Sequence, residues 1–278
     1  APGTAPPRHH GPMPEGDTVW RVARQLHEAL AGEELIRCEL RVPRLATADL
    51  SGRTVREVVP RGKHLLLRVE GGLTLHSHLR MDGAWRIHTP GERWRGGPAH
   101  QIRAVLGTAH RTAVGYRLPV LELIRTADEA RVVGHLGPDP LGPDWDPEEA
   151  LRRLLTAPDR PLGEALLDQR NLAGIGNVYR CELCFVLGAS PWLPVGQLPD
   201  PARAPALARR LLEANKNRPA RRTVPGARPD RRLWVHGRAD RPCHRCGTLV
   251  RHRAQGPTAD ERVTYWCPTC QPGPTPEA

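Results

Sequence analysis

The sequence predicts an α+β protein in three parts: a β-sandwich or barrel opened by one helix, a helical domain behind it, and a metal-binding module near the C-terminus. Eight short β-like runs separated by Gly and Pro fill residues 35–125, helical patterns fill 146–215, and two Cys-x-x-Cys pairs follow. With 278 residues and 39% hydrophobic content, the chain is long enough for one large or two modest domains.

Residues 1–12 are rich in Pro, Gly and His without periodicity, so 1–13 is read as a disordered extension or a removed segment. From Asp17 the apolar residues Val19, Val22, Ala23, Leu26, Ala29 and Leu30 recur at helical spacing. Asp17 or Thr18 is expected as the N-cap, with Gly32 closing the helix. Strands are then expected at 35–42, 54–60, 63–70, 73–79, 84–89, 102–108, 112–118 and 120–125.

Composition changes at about His135. GPDPLGPDWDP (137–147) reads as a Pro/Asp linker, and helices are expected at 146–155, 163–169, 177–187 and 203–215. The expected domains are 14–135, 136–232 and a metal module at 233–271, with a tail at 272–278.

The net charge is +11. Residues 201–262 carry sixteen Lys/Arg against five acids, so this stretch holds the whole excess. An Arg-rich run is often just a solvated loop, but confinement to one region points to a nucleic-acid footprint. No apolar run approaches the roughly 18 residues of a membrane span. The opening APGTAPPRHHGP lacks the apolar core of a secretory signal, so a soluble intracellular chain is expected.

Seven cysteines without a secretory context argue against a disulfide framework. Cys243, Cys246, Cys267 and Cys270 form two knuckles, the pattern of a β-hairpin zinc finger, and four thiolates close the shell of one structural zinc ion. Cys181 and Cys184 lie in a helical run and are read as buried packing residues; Cys38, in a strand, is read as core.

MPEGDTVW, RGKHLLL, SHLRMDG and LAGIGNVY precede the finger in that order. With them, residues 13–271 resemble the formamidopyrimidine-DNA glycosylase and endonuclease VIII family of base-excision-repair enzymes. PEGDTV and DQRNLAGIGNVYRCELCF look most like its actinobacterial endonuclease VIII-type branch. The resemblance implies an N-terminal β-sandwich, a helix-two-turn-helix domain and a zinc-finger hairpin. It also implies a monomeric cytoplasmic DNA glycosylase and abasic-site lyase, nucleoid-associated, whose partner is damaged DNA and not a membrane.

By the same resemblance, Pro14 is the nucleophile. A free α-amine titrates near 7.7–8.0, so a neutral fraction is available to attack the sugar's anomeric carbon and form a Schiff base. That chemistry needs Pro14 at a terminus, so translation is expected to start at Met13, with the methionine removed. Glu15 matches the acid/base that protonates the ring oxygen. Lys63 matches a catalytic residue that also binds phosphate beside the flipped nucleotide, His78 a phosphate contact, and Met81 the wedge that fills the stack when a nucleotide is flipped. Asn177 and Arg262 match residues that grip backbone phosphates beside the lesion. Taken singly, Pro14-Glu15 is ordinary helix-start chemistry, Lys63 a solvated charge, His78 a strand residue, Met81 core and Asn177 an N-cap.

Three departures bear on specificity. GYRLPVLEL offers Arg117 but no following Phe, residues 215–234 have no clear match to the family's base-capping loop, and Thr18 replaces a second acid. Oxidised pyrimidines are therefore the expected lesions, removed with β,δ-elimination. The alternatives are an oxidised-purine glycosylase on the same scaffold and a non-catalytic zinc-finger protein that binds DNA damage.

Overall fold

A computed structural model describes residues 14–226, 228–257 and 261–275; the expected extension 1–13, its start at Met13 and residues 276–278 of the tail lie outside the described residues. The chain forms two compact units. The first holds Pro14, 24–58 and 64–126, and the second 15–23, 59–63 and 127–278.

The first unit contains the β-sandwich. Helix α1 (Gly16–Leu30), shared between the units, is followed by β1 (Arg37–Leu40), β2 (Val55–Arg61), β3 (His64–Val69) and β4 (Leu73–His78). Then come β5 (Ala84–His88), β6 (Ile102–Gly107), β7 (Thr112–Tyr116) and β8 (Val120–Arg125). They form two four-stranded sheets, ordered β1-β6-β7-β5 and β2-β3-β4-β8. Two open sheets settle the choice between sandwich and barrel. Leu65, Leu67, Leu75, Val105, Val114 and Leu121 are buried in these sheets.

Two expectations for this region need correction. Helix α1 begins at Gly16, so Asp17 lies inside its first turn and is not its cap. Cys38 is only half-buried, although it shares a face of β1 with the buried Leu40 and stands opposite the buried Leu106, so it lies at the margin of the core.

The second unit is helical. A short α2 (Ala130–Val133), which the sequence did not announce, precedes α3 (Pro147–Leu154), α4 (Leu162–Leu167), α5 (Asn177–Leu187) and α6 (Arg203–Asn215). Asp146 caps α3 by accepting the amides of Glu148 and Glu149, both at 3.0 Å, and Pro147 supplies the first-turn φ. Leu154, Leu162, Leu166, Tyr179, Leu183 and Leu211 share one core. Every residue of α5 from Asn177 to Phe185 is buried, so this helix is the axis of the unit. The antiparallel pair β9 (Arg251–Gln255) and β10 (Arg262–Trp266) completes it.

The Pro/Asp stretch at 137–147 is not a free linker in its first half. Residues 136–140 are buried, and Asp139 accepts the Gly62 amide at 2.6 Å. Proline lacks an N–H, which lets such a segment enter the interior with fewer donors to satisfy. Burial pushes the Asp139 carboxyl upward.

Candidate active site

Glu15 follows Pro14 directly and is fully buried. Its carboxylate accepts the amides of Gly176 and Val178, both at 2.8 Å, and of Tyr179 at 3.3 Å. These are the first amides of α5, which no intrahelical carbonyl can satisfy. The carboxylate therefore sits at the positive end of the α5 dipole. The LAGIGNVY motif builds this place: Gly174 takes φ +90, and a side chain on Gly176 would collide with Glu15.

This arrangement corrects the reading of Asn177 as an N-cap. The cap position is Gly176, and the capping carboxylate comes from Glu15. Asn177 is instead 8% exposed. Its amide donates to the Val263 carbonyl at 2.9 Å and meets His236 Nε2 at 3.5 Å. Its carbonyl accepts from the buried Arg180.

Around Glu15 lies a charged cluster that sequence reasoning missed. Asp17 is 1% exposed and accepts the Tyr179 hydroxyl at 2.9 Å. It also takes two hydrogen bonds at 2.8 Å from the Arg221 guanidinium, which reaches Thr18 Oγ1 at 3.0 Å and lies 4.0 Å from Glu15. Arg221 belongs to the basic stretch, yet it points inward. Burial works against its charge, but Glu15 and Asp17 hold it above the usual guanidinium value. Burial and the Asp17 charge likewise raise the Tyr179 hydroxyl well above the usual phenol range.

Lys63 occupies the tight turn between β2 and β3. It is partly buried, and the charges of Glu15, Arg221 and Arg262 act on it. Burial lowers its amine to about 8; Glu15 opposes that fall, while Arg221 and Arg262 add to it. Glu15, Lys63, Asn177 and Arg262 all belong to the second unit.

A further buried acid, Glu182 on α5, organises the chain that carries Arg221 and His236. It accepts the consecutive amides of Trp234, Val235 and His236 at 2.8, 2.9 and 2.9 Å, and the Thr223 hydroxyl. Burial, with the nearby charges of Arg221 and Arg180, lowers His236 to about 4. Nothing in the sequence marks Glu182 except its place five residues after Asn177 in the same helix.

Cys243, Cys246, Cys267 and Cys270 bring their sulfurs within 4.8 Å of one another. Cys243 and Cys270 are 4.0 Å apart, and Cys246 and Cys267 are 3.4 Å apart. Sulfurs held at about 2.3 Å from a tetrahedral zinc stand about 3.8 Å from each other, so the donor set fits such an ion. Arg245, between the first two ligands, lies over the stacked rings of Phe185 and Trp234, at 4.4 and 5.1 Å, tying the knuckle to α5. Cys181 and Cys184 are buried packing residues. Arg262 opens β10 and is exposed.

In the first unit, His78 ends β4, and its Nδ1 accepts the Arg80 amide at 2.9 Å. A neutral His78 therefore carries its proton on Nε2. His78 also meets the edge of His64, which pairs with His76 at 2.9 Å; His76 in turn reaches Glu122 at 3.2 Å. The alternating His76 and His78 opposite His64 were the sequence signal for this chain of rings. Met81 is 48% exposed, which removes it from the core. It lines a cavity of about 420 Å³ with Arg80, Asp82, Arg103, Arg117, Leu118 and Pro119. The Arg117 guanidinium is committed to the Asp82 and Gly96 carbonyls, at 3.0 and 3.1 Å, and to Gln101 at 2.6 Å.

Comparison with known proteins gives consistent relatives. Residues 13–117 match the formamidopyrimidine-DNA glycosylase N-terminal domain, and residues 136–211 the formamidopyrimidine-DNA glycosylase H2TH domain. The chain is 69% identical over 266 residues to a probable endonuclease 8 2 of Streptomyces coelicolor, covering 95% of this chain and 96% of that one. It is 53% identical to the DNA-(apurinic or apyrimidinic site) lyase Nei2 of Mycolicibacterium smegmatis, covering 93% and 99% of the two chains. The fold matches that of Lactococcus lactis Fpg (MutM) in complex with DNA containing an oxidized pyrimidine, with a TM-score of 0.78 at 24% identity over 94% of this chain and 100% of that one.

Proposed function

The chain belongs to the formamidopyrimidine-DNA glycosylase and endonuclease VIII family and is a DNA glycosylase and abasic-site lyase of base excision repair; we propose that it acts on oxidised pyrimidines through Pro14. The observation that carries this reading is the Glu15 carboxylate. It is buried on the α5 N-terminus, one residue after Pro14, where its position is held by three amides.

The proposed sequence begins with the neutral amine of a terminal Pro14 attacking the anomeric carbon. The glycosidic bond breaks, the base leaves with its electron pair, and Glu15 protonates the ring oxygen as the sugar opens to an iminium. Loss of a sugar proton then expels the 3′ phosphate. A second elimination expels the 5′ phosphate, and water releases the enzyme, leaving a one-nucleotide gap. Lys63 and His78 hold phosphates beside the flipped nucleotide, Met81 fills the gap in the stack, and Asn177 and Arg262 grip the flanking backbone.

Residues 14–135 carry the chemistry, 136–232 the DNA grip, and 233–271 the finger. The four cysteines would hold one zinc ion, which supplies no reactive group and serves to keep the hairpin folded. Among the described residues no helix is long and apolar enough to cross a membrane. Damaged DNA is the proposed partner of a monomeric protein in the cytoplasm, associated with the nucleoid.

Borohydride trapping on duplexes carrying thymine glycol or dihydrouracil tests the reading, with the chain starting at Pro14 compared with the chain carrying residues 1–13. A covalent adduct only with the free terminus supports it. An adduct formed equally well with the extension in place removes Pro14 as nucleophile. Stronger cleavage of 8-oxoguanine opposite C than of the pyrimidine lesions assigns oxidised purines instead.

A further inference from the structure

Arg221 comes from a stretch, 215–234, in which the sequence shows no clear family motif. Its side chain is 8% exposed and its fork is matched by the Asp17 carboxylate, both contacts at 2.8 Å. The Tyr179 ring lies against the same guanidinium at 5.4 Å. A buried ion pair is no stronger in general than an apolar pair of the same shape, because both ions lose their water. What an apolar pair would lack is a permanent charge 4.0 Å from Glu15 whose field also acts on Lys63.

We propose that Arg221 is a positioning residue of the reaction centre, clamped by Asp17 so that its fixed charge stands 4.0 Å from Glu15 and adds to the positive field on Lys63. The inference rests on the proposed function for the meaning of that centre. The planar fork suits this role because it binds Asp17 in two places at once, which fixes the direction of the remaining nitrogen toward Glu15. Asp17 and Glu15 lie two residues apart at the start of α1, so one guanidinium sets the place of both. Among the described residues, the charges that act on Lys63 are Glu15 at that helix start, Arg221 in the loop after α6, and Arg262 on β10. Removing Arg221 takes away one of two cations that oppose the Lys63 ammonium, so the amine regains protons and loses its neutral fraction.

The chain has only two lysines, Lys63 and Lys216, which makes the effect measurable without DNA. Acetylation of each lysine is followed by mass spectrometry from pH 6 to 10. Lys216, paired with Glu213 at 2.6 Å, is the internal reference. In the double variant Asp17→Asn/Arg221→Met, which leaves no lone charge at the Asp17–Arg221 pair, the Lys63 midpoint should move to higher pH, because Arg221 and not Asp17 is among the charges that act on Lys63. Its labelling at pH 8 should fall about twofold relative to Lys216, the effect of about half a pH unit on an amine that titrates near 8. Arg221→Lys, which keeps the charge, should restore the midpoint. The pH profile of adduct formation should move in the same direction as the labelling. A folded double variant with an unchanged Lys63 midpoint overturns the proposal. Should the double variant not fold, Arg221→Gln decides by the same reading. Because labelling needs no DNA, a wild-type chain that traps no lesion refutes the proposed function separately.

Discussion

The Glu15 carboxylate accepts the Gly176 amide at 2.8 Å, and the space a Gly176 side chain would need is the space that the Glu15 side chain fills. The two residues are 161 positions apart. An acid at one end of the sequence thus caps a helix far along it, and the cap depends on the absence of a single methyl group.

Gly176→Ala should therefore displace Glu15. Overpacking of this kind costs about 1–3 kcal/mol, and base release should fall with it. Urea unfolding and single-turnover base release check both parts. Wild-type stability and rate in this variant would show that Glu15 is not held as described.

Glu15→Gln keeps the shape and removes the charge and the proton-transfer capacity. Base release should drop about 10²- to 10⁴-fold, while affinity for a duplex with a stable abasic-site analogue changes only a few-fold. A rate within threefold of wild type would remove Glu15 from the chemistry.

Arg262 is exposed, and its guanidinium donates to the neighbouring Glu261 carbonyl at 3.0 Å. Arg262→Gln should leave stability within about 0.5 kcal/mol. It should lower the slope of log affinity against log salt by about 1, the signature of one lost phosphate contact. An unaltered slope would place Arg262 off the DNA.

His236 sets a pH dependence of stability. Its folded-state value is about 4 against an ordinary 6.5, with burial as the main cause and Arg221 and Arg180 adding to it. Between those values the unfolded chain binds a proton that the folded chain refuses. The stability linked to His236 is therefore fully present above pH 6.5 and is lost as pH falls toward 4. Urea midpoints measured at pH 7, 6 and 5 should fall more steeply for wild type than for His236→Gln. Parallel curves would show that His236 does not titrate in this window.

The finger makes a metal prediction. One zinc ion per chain should be found by elemental analysis, and Cys267→Ser should lower the melting temperature by roughly 5 °C or more, the effect of a loss of about 2 kcal/mol in a chain of this size. Cys267 belongs to the core that also holds Cys181, Phe185, Val235 and Val250, so loss of the ion should loosen α5 as well. Full stability after stripping with a chelator would contradict a structural metal.

The eight strands, α1 and the four longer helices after it could be read from the chain because each carries its own periodicity and its own Gly or Pro boundaries. The cysteine knuckles could be read for a related reason: both pairs of ligands are local, and only their separation had to be bridged. The one-turn α2 was not readable, since four residues give no period. The buried half of the 137–147 stretch was missed because Pro and Asp look the same whether solvated or packed. Asp139 becomes a buried acceptor only when Gly62 arrives beside it.

The sequence by itself determined the longer elements, the order of the motifs, the four-cysteine cluster and the family. Tertiary structure alone decided that Asp17 pairs with Arg221, which is 204 residues away, and that Glu182 gathers the amides of 234–236. It also turned Asn177 from a cap into a link with β10. The physical reason is the same in each case. A charged or polar side chain shows its type in the sequence, but its effect depends on how much water it loses and which partner replaces that water. Both are fixed only when segments distant in the chain close around it.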